Sequence, residues 1–161
     1  MVTAENSGKY NYIIRELALQ QDDIAQEVWQ LQMQSYRVEA DLIGLDDFPP
    51  LRQTLADLKQ SKEVYYGCHD QNVLMGVLSL EFKKNSILIT RVIVHPTHFR
   101  KSVAKALLLF VDSFKSESIM VSTASNNIPA IQLYLSNGYQ KIKEVHMPEG
   151  IIMATFIKSC T

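Results

Sequence analysis

The sequence predicts an α/β (α+β) domain with a mixed, mostly antiparallel sheet of about seven strands flanked by about four helices. Three observations carry this. Strand-like and helix-like periodicities follow one another in the order strand, two helices, three strands, helix, strand, helix, two strands. The run from Ile87 to Lys115 joins a β-branched segment to an amphipathic one through a short proline-containing turn, the pattern of a strand feeding a crossover helix. A chain of 161 residues is also long enough to bury one sizeable core, so a single domain spanning 1–161 is expected.

Tyr10 to Leu17 alternates as a first strand. Asp22 or Asp23 would cap a helix that sets Ile24, Val28, Leu31 and Ser35 on one face. The stretch Tyr36 to Pro50 mixes aromatics, carboxylates and breakers, and reads as an apolar loop before a second helix carrying Leu51, Leu55 and Leu58. Glu63 to His69 and Val73 to Phe82 read as strands joined tightly by Asp70, Gln71 and Asn72. Lys83, Lys84 and Asn85 then turn the chain into Ile87 to Val94, which completes an antiparallel meander. Pro96 cannot donate to a ladder and pushes His95 towards extended geometry, so that strand ends near His95.

From Val103, the positions Ala106, Leu107, Phe110, Val111 and Phe114 share one face of a helix spanning Lys101 to Lys115. Ser118 to Thr123 is a further strand, and Gly138 closes a helix after Asn137. Tyr139 to His146 and Ile151 to Ile157 form a last pair around Met147, Pro148, Glu149 and Gly150.

Composition narrows the function classes. Lys and Arg number 16 against 17 Asp and Glu, a balance that disfavours nucleic-acid or anionic-membrane binding. The opening residues lack a basic-then-apolar leader pattern, and the longest apolar runs, such as Ala106 to Val111, fall far short of a bilayer span, so a cytoplasmic location is expected. Cys68 and Cys160 are too few for a disulfide framework, and His95 with His98 lacks a third ligand, so no metal is expected. Cys68 is a poor nucleophile candidate because His69 alternates to the other face of its strand. A homodimer is compatible with all of this.

One segment points to an anion. Ser102 and Ala104 are small residues at a helix start, beside Arg100, Lys101 and Lys105. Unpaired N–H groups, the helix dipole and this positive charge suit a pyrophosphate.

Here the chain resembles the GNAT N-acetyltransferase superfamily. Val94-His95-Pro96, then Arg100-Lys101-Ser102-Val103-Ala104-Lys105, then Ala106-Leu107-Leu108 follow its acetyl-CoA-binding motif, Gln/Arg-x-x-Gly-x-Gly/Ala, with Phe99 and Ser102 departing from it and Ala104 fitting. Asn127, Ala130, Leu133, Tyr134, Gly138 and Tyr139 match the superfamily's other fingerprint, Asn-x-x-Ala-x-x-Leu-Tyr-x-x-x-Gly-Phe/Tyr, in the right order.

The resemblance implies an N-acetyltransferase that moves the acetyl group of acetyl-CoA to a primary amine by direct attack in a ternary complex. It implies that backbone groups of Val92, Ile93 and Val94 pair with the pantetheine arm and hold the oxyanion. Residues Arg100, Lys101, Ser102, Val103, Ala104 and Lys105 would hold the pyrophosphate, Asn127 would contact the arm, and Tyr134 would be the general acid. It also implies that the strand ending at Val94 and the one around Ile119 to Ser122 are parallel neighbours that splay apart.

The general base stays open. The position five before Asn127, a Glu in some relatives that acetylate protein N-termini, is Ser122 here. Glu81, His95, and Glu39 or Asp41 in the expected loop are the candidates. Glu39, Asp41, Asp46 and Asp47 also make that loop negative, which reads either as a solvated acidic loop, Asp46 and Asp47 serving the turn before Pro49, or as a site for a cationic acceptor, small molecule or peptide, with Glu39 and Asp41 facing it. The other reading is a degenerate GNAT domain that binds acyl-CoA as a sensor without efficient turnover.

Overall fold

The structure, a computed structural model, describes residues 11–160; Tyr10 and the opening segment read for a leader lie outside them. Seven strands, β1 Ile13–Glu16, β2 Val64–Asp70, β3 Val73–Phe82, β4 Ser86–Val94, β5 Ser118–Ala124, β6 Gln140–His146 and β7 Ile152–Ser159, form one sheet in the order β1-β2-β3-β4-β5-β7-β6. All pairings are antiparallel except β4 with β5. The helices are α1 Asp22–Ile43, α2 Leu55–Lys59, α3 Val103–Asp112 and α4 Ile128–Ser136, the expected order of elements.

Two apolar clusters flank the sheet. Leu107 and Val111 of α3 and Tyr134 of α4 pack with Leu78, Leu80, Ile119 and Phe156 on one side. Val28, Leu31 and Ala40 of α1 and Leu58 of α2 pack with Tyr65, Val77 and Ile93 on the other. Burying both faces of the sheet is why its central strands read as nearly unbroken apolar runs. No helix among the described residues is long and apolar enough to cross a membrane.

The helix boundaries differ from the sequence reading. The expected loop from Tyr36 is helical as far as Ile43, because Ser35, Tyr36, Ala40 and Ile43 continue the buried stripe begun at Ala25 and Val28. Gly44 stops α1 in a left-handed conformation, φ 76°, and Leu45 N–H then donates to the Ala40 carbonyl at 2.9 Å. Gln21, not Asp22 or Asp23, is the N-cap, and those two carboxylates sit in the first turn against the dipole's positive end. Leu51 lies in a separate 3-10 turn, Pro49–Arg52, while Thr54 and Asp57 form a capping box that starts α2 at Leu55. Helix α3 begins at Val103 and ends at Asp112, so Lys101 and Lys115 fall outside it.

A bulge in β4 decides what faces the cleft described below. Ser79 of β3 pairs with Arg91 and Leu80 with Ile89, which leaves Thr90 as an extra residue. Side-chain alternation therefore inverts: Ile87 and Ile89 pack in the α3 cluster, whereas Ile93 packs under α1. Arg91 emerges on that second side, and its guanidinium meets groups from β2, β3 and the segment before α2.

Candidate active site

Strands β4 and β5 pair only from Ser86 to Ile89 and from Ser118 to Val121. Beyond that β5 follows β7, and a cleft of about 380 Å³ opens between Thr90–Ile93 and Ser122–Ala124. A main-chain edge facing a cleft inside a sheet has hydrogen-bonding groups to offer an extended ligand. Tyr36 and Glu39 of α1, Asn127 and Tyr134 of α4, and Met147, Glu149 and Ile151 of the β6–β7 turn complete the lining.

The start of α3 follows β4 through the short 3-10 turn Pro96–His98. Ser102, its N-cap, has φ 60° and ψ 24°, and Arg100 has φ 63°, so two residues in three are left-handed. The Ser102 side chain makes no capping bond, no acidic residue stands in the first turn, and the Tyr12 hydroxyl donates to the Lys101 carbonyl at 2.7 Å, tying this loop to the chain before β1. Position 102 thus needs a conformation that costs an L-residue roughly 1–2 kcal/mol. Ser102→Gly should stabilise the fold by about 1 kcal/mol, after allowance for the extra freedom of glycine in the unfolded chain. Urea denaturation measures this, with Ser102→Ala, which relieves nothing, as the comparison.

Asn127 caps α4, its Oδ1 accepting from Ala130 N–H at 3.3 Å, while its Nδ2 donates to Glu39 Oε2 at 3.4 Å. Burial raises the Glu39 carboxyl above the usual range, and the Asn127 bond opposes this only in part. Tyr134 is 5% exposed, with its ring centroid 5.8 Å from both Tyr139 and Phe156. Burial pushes its phenol up, and the nearby Glu39 charge adds to the effect. A carboxylate and a phenol from different helices thus share the cleft.

The other candidates are dispersed. Glu81 pairs with Lys83 at 3.0 Å, opposite Leu88 in the half of the sheet away from the splay. His95 Nδ1 accepts from Thr97 N–H at 3.1 Å and caps the short 3-10 turn Pro96–His98. Neither lines the cleft. Asp41, read with Glu39 as facing the acceptor, is exposed on α1 outside the cleft, because two helical positions place their side chains about 200° apart. Arg100, Lys101 and Lys105 are exposed around the start of α3, whereas Val103 is buried against Gly76. Cys68 is fully buried in the α3-side cluster; burial, aided by Asp70, pushes its thiol up to about 12, the opposite of an activated nucleophile.

Sequence reasoning passed over Arg91, although it was the one charge in an apolar strand. It pairs with Glu63 and bonds the Tyr65 hydroxyl; Ser79 Oγ lies 3.3 Å from its Nη1 and Gln53 Oε1 3.4 Å from its Nη2. Gln53 is held further by Gln32 Nε2 at 2.6 Å and, through its carbonyl, by Trp29 Nε1 at 2.9 Å. This network fastens the segment after Phe48–Pro50, one wall of the cleft, to both α1 and β4. Burial would raise the Glu63 carboxyl, but the Arg91 charge and the hydrogen bonds from Tyr65, Arg91 and Ser61 hold it below the usual range.

A family model described as an acetyltransferase (GNAT) domain matches residues 61–141, which hold the cleft strands, the α3 start and the whole of α4. The chain belongs to the GNAT acetyltransferase family. This GNAT chain is 37% identical over 135 residues to UPF0157 protein YqkA of Bacillus subtilis (strain 168), a match covering 83% of the chain and 39% of that protein, so it spans about two fifths of its relative. Among solved structures, it resembles the ribosomal-protein-S18-alanine N-acetyltransferase of Escherichia coli with a TM-score of 0.73 at 12% identity, covering 93% of this chain and 94% of that one. It also resembles the PaiA N-acetyltransferase of Thermoplasma acidophilum, solved in complex with coenzyme A, with a TM-score of 0.71 at 14% identity, covering 92% and 98%. At these identities the likeness shows the fold.

Proposed function

We propose that this GNAT chain is an acetyl-CoA-dependent N-acetyltransferase acting on a primary amine in a ternary complex, with Glu39 as general base and Tyr134 as general acid. The observation that carries the reading is the splay of β4 from β5, with Glu39 and Tyr134 both lining the opening. The residues present suit acetyl-CoA. Val92, Ile93 and Asn127 line the cleft, while Val94 and residues 100–105 lie outside its lining; the β4 edge at Val92, Ile93 and Val94 would take the pantetheine amides, Asn127 would contact the arm, and the left-handed loop with Arg100, Lys101, Ser102, Val103, Ala104 and Lys105 would take the pyrophosphate at the α3 dipole.

Acetyl-CoA supplies an activated acetyl thioester. Glu39 takes a proton from the incoming ammonium, so that a neutral nitrogen reaches the carbonyl carbon. A backbone N–H of β4 near Val92 stabilises the oxygen on which charge gathers. Tyr134 gives its proton to the departing sulfur and regains one from the new amide nitrogen. The raised Glu39 suits this role, since its carboxylate is a stronger base than an exposed one.

Thiol release from acetyl-CoA against a panel of amines, amino acids and peptides tests the reading. The acid limb of kcat/KM should lie above the ordinary carboxylate range and vanish, with most of the activity, in Glu39→Gln. The same variant tests linkage. A carboxyl raised in the folded state contributes stability below its unfolded value and loses it as pH rises through the raised one, so Glu39→Gln should increase Tm at neutral pH more than at acid pH. Retained acetyl-CoA binding with no turnover on any amine would make the chain an acyl-CoA-binding module instead.

A further inference from the structure

Three charged side chains line the cleft: Glu39, Arg91 and Glu149. Arg91 is matched by Glu63, both side chains largely buried. Arg52, which feels the charge of Glu149 from the Pro49–Arg52 turn, is already held by Asp47, with Nε donating to Oδ1 at 3.0 Å. Both of these cations thus have a carboxylate of their own. Neither Glu39 nor Glu149 forms an ion pair among the described residues.

The two carboxylates without an ion pair stand on different elements. Glu39 is on α1, half-buried and close enough to Tyr134 to affect its phenol, while Glu149 is exposed at the rim on the β6–β7 turn. The same cleft carries apolar lining: Met147 and Ile151 of the β6–β7 turn, Met153 of β7, and Phe48, Pro49 and Pro50 from the segment after α1. A ligand that used both carboxylates and this apolar lining would carry two positive charges joined by an aliphatic chain.

We propose that the acceptor is a small aliphatic amine carrying a second positive charge, with the reacting nitrogen at Glu39 and the distal cation at Glu149. This rests on the acetyl-transfer reading for the role of the reacting nitrogen. An anionic acceptor would meet two like charges, and a neutral monoamine would leave Glu149 unused. The volume of about 380 Å³, shared with the pantetheine arm, suits a slender chain better than a fused ring or a nucleoside.

The experiment compares α,ω-diaminoalkanes with n-alkylamines of matched length, reading thiol release from acetyl-CoA and, separately, calorimetric binding to the acetyl-CoA-loaded protein. The native chain should favour the diamine in kcat/KM by roughly ten-fold, the scale of one charge pair at a partly wet rim. Glu149→Gln should bring that ratio close to unity and Glu149→Lys should invert it, and raising the salt concentration should shrink the native preference. Equal use of both amines by the native chain, a preference that survives Glu149→Gln, or a lysine-containing peptide outpacing every diamine would each overturn the proposal. Diamine binding that depends on Glu149 without thiol release would uphold the dication site and sink the acetyl-transfer reading; monoamine acetylation without a preference would do the reverse.

Discussion

Tyr134→Phe is expected to lower turnover by roughly 10²–10⁴-fold while leaving acetyl-CoA binding nearly unchanged. The phenol is the group in the cleft that stays protonated throughout the working range, because burial and the Glu39 charge both raise it. A sulfur leaving without a proton would carry full negative charge in a cleft that already holds the half-buried Glu39 carboxylate. Removing only the hydroxyl leaves the ring where it is, packed 5.8 Å from Tyr139 and Phe156, so the fold should lose little. Single-turnover kinetics with isothermal binding of acetyl-CoA separates the two effects. A fall in Tm or in acetyl-CoA affinity that accounts for the lost rate would make Tyr134 a packing residue and end its assignment as the acid.

Arg91→Met should destabilise the fold by about 3–5 kcal/mol, the usual cost of breaking a buried ion pair from one side. The side chains of Arg91 and Glu63 are 14% and 19% exposed, so water cannot take over the guanidinium's role. Glu63 would remain with bonds from Tyr65 and Ser61 but without its cation, and Gln53 would lose one of the donors that hold the wall beside Phe48–Pro50. Adding Glu63→Gln should recover much of the loss, since the double variant has no uncompensated charge. The pH dependence is a second readout. A carboxyl lowered in the folded state contributes stability above its unfolded value and loses it as pH falls, so the native chain should weaken on acidification more steeply than Arg91→Met. Chemical denaturation at neutral and acid pH measures both, and parallel losses would show that the pair adds nothing.

How much of this was legible in the chain varies with the kind of information each feature needs. The order of elements followed from local periodicity, since side chains that alternate or recur every three to four positions report only on their own segment. The Asn127 to Tyr139 fingerprint and the start of α3 were equally local. The end of α1 was missed because Tyr36, Glu39 and Asp41 look like loop chemistry until one sees that Ser35, Tyr36, Ala40 and Ile43 share a buried face. The same error grouped Glu39 with Asp41; once the segment is helical, one carboxylate faces the cleft and the other faces solvent.

By itself the sequence determined the family, the alternation of strands and helices, the position of the anion-suited loop and the identity of Tyr134 as the phenol in the motif, all written in contiguous residues. Only the tertiary structure decided which carboxylate accompanies that phenol, that Glu149 shares its cleft, and that Arg91 points towards α1. Those facts depend on a bulge at Thr90, on strands parting after Ile89 and Val121, and on contacts such as Asn127 with Glu39 and Arg91 with Glu63, 88 and 28 residues apart in the chain. The physical reason is that a hydrogen bond or ion pair depends on distance in space, and in a folded chain that distance is set by packing of both sheet faces, which no local pattern encodes.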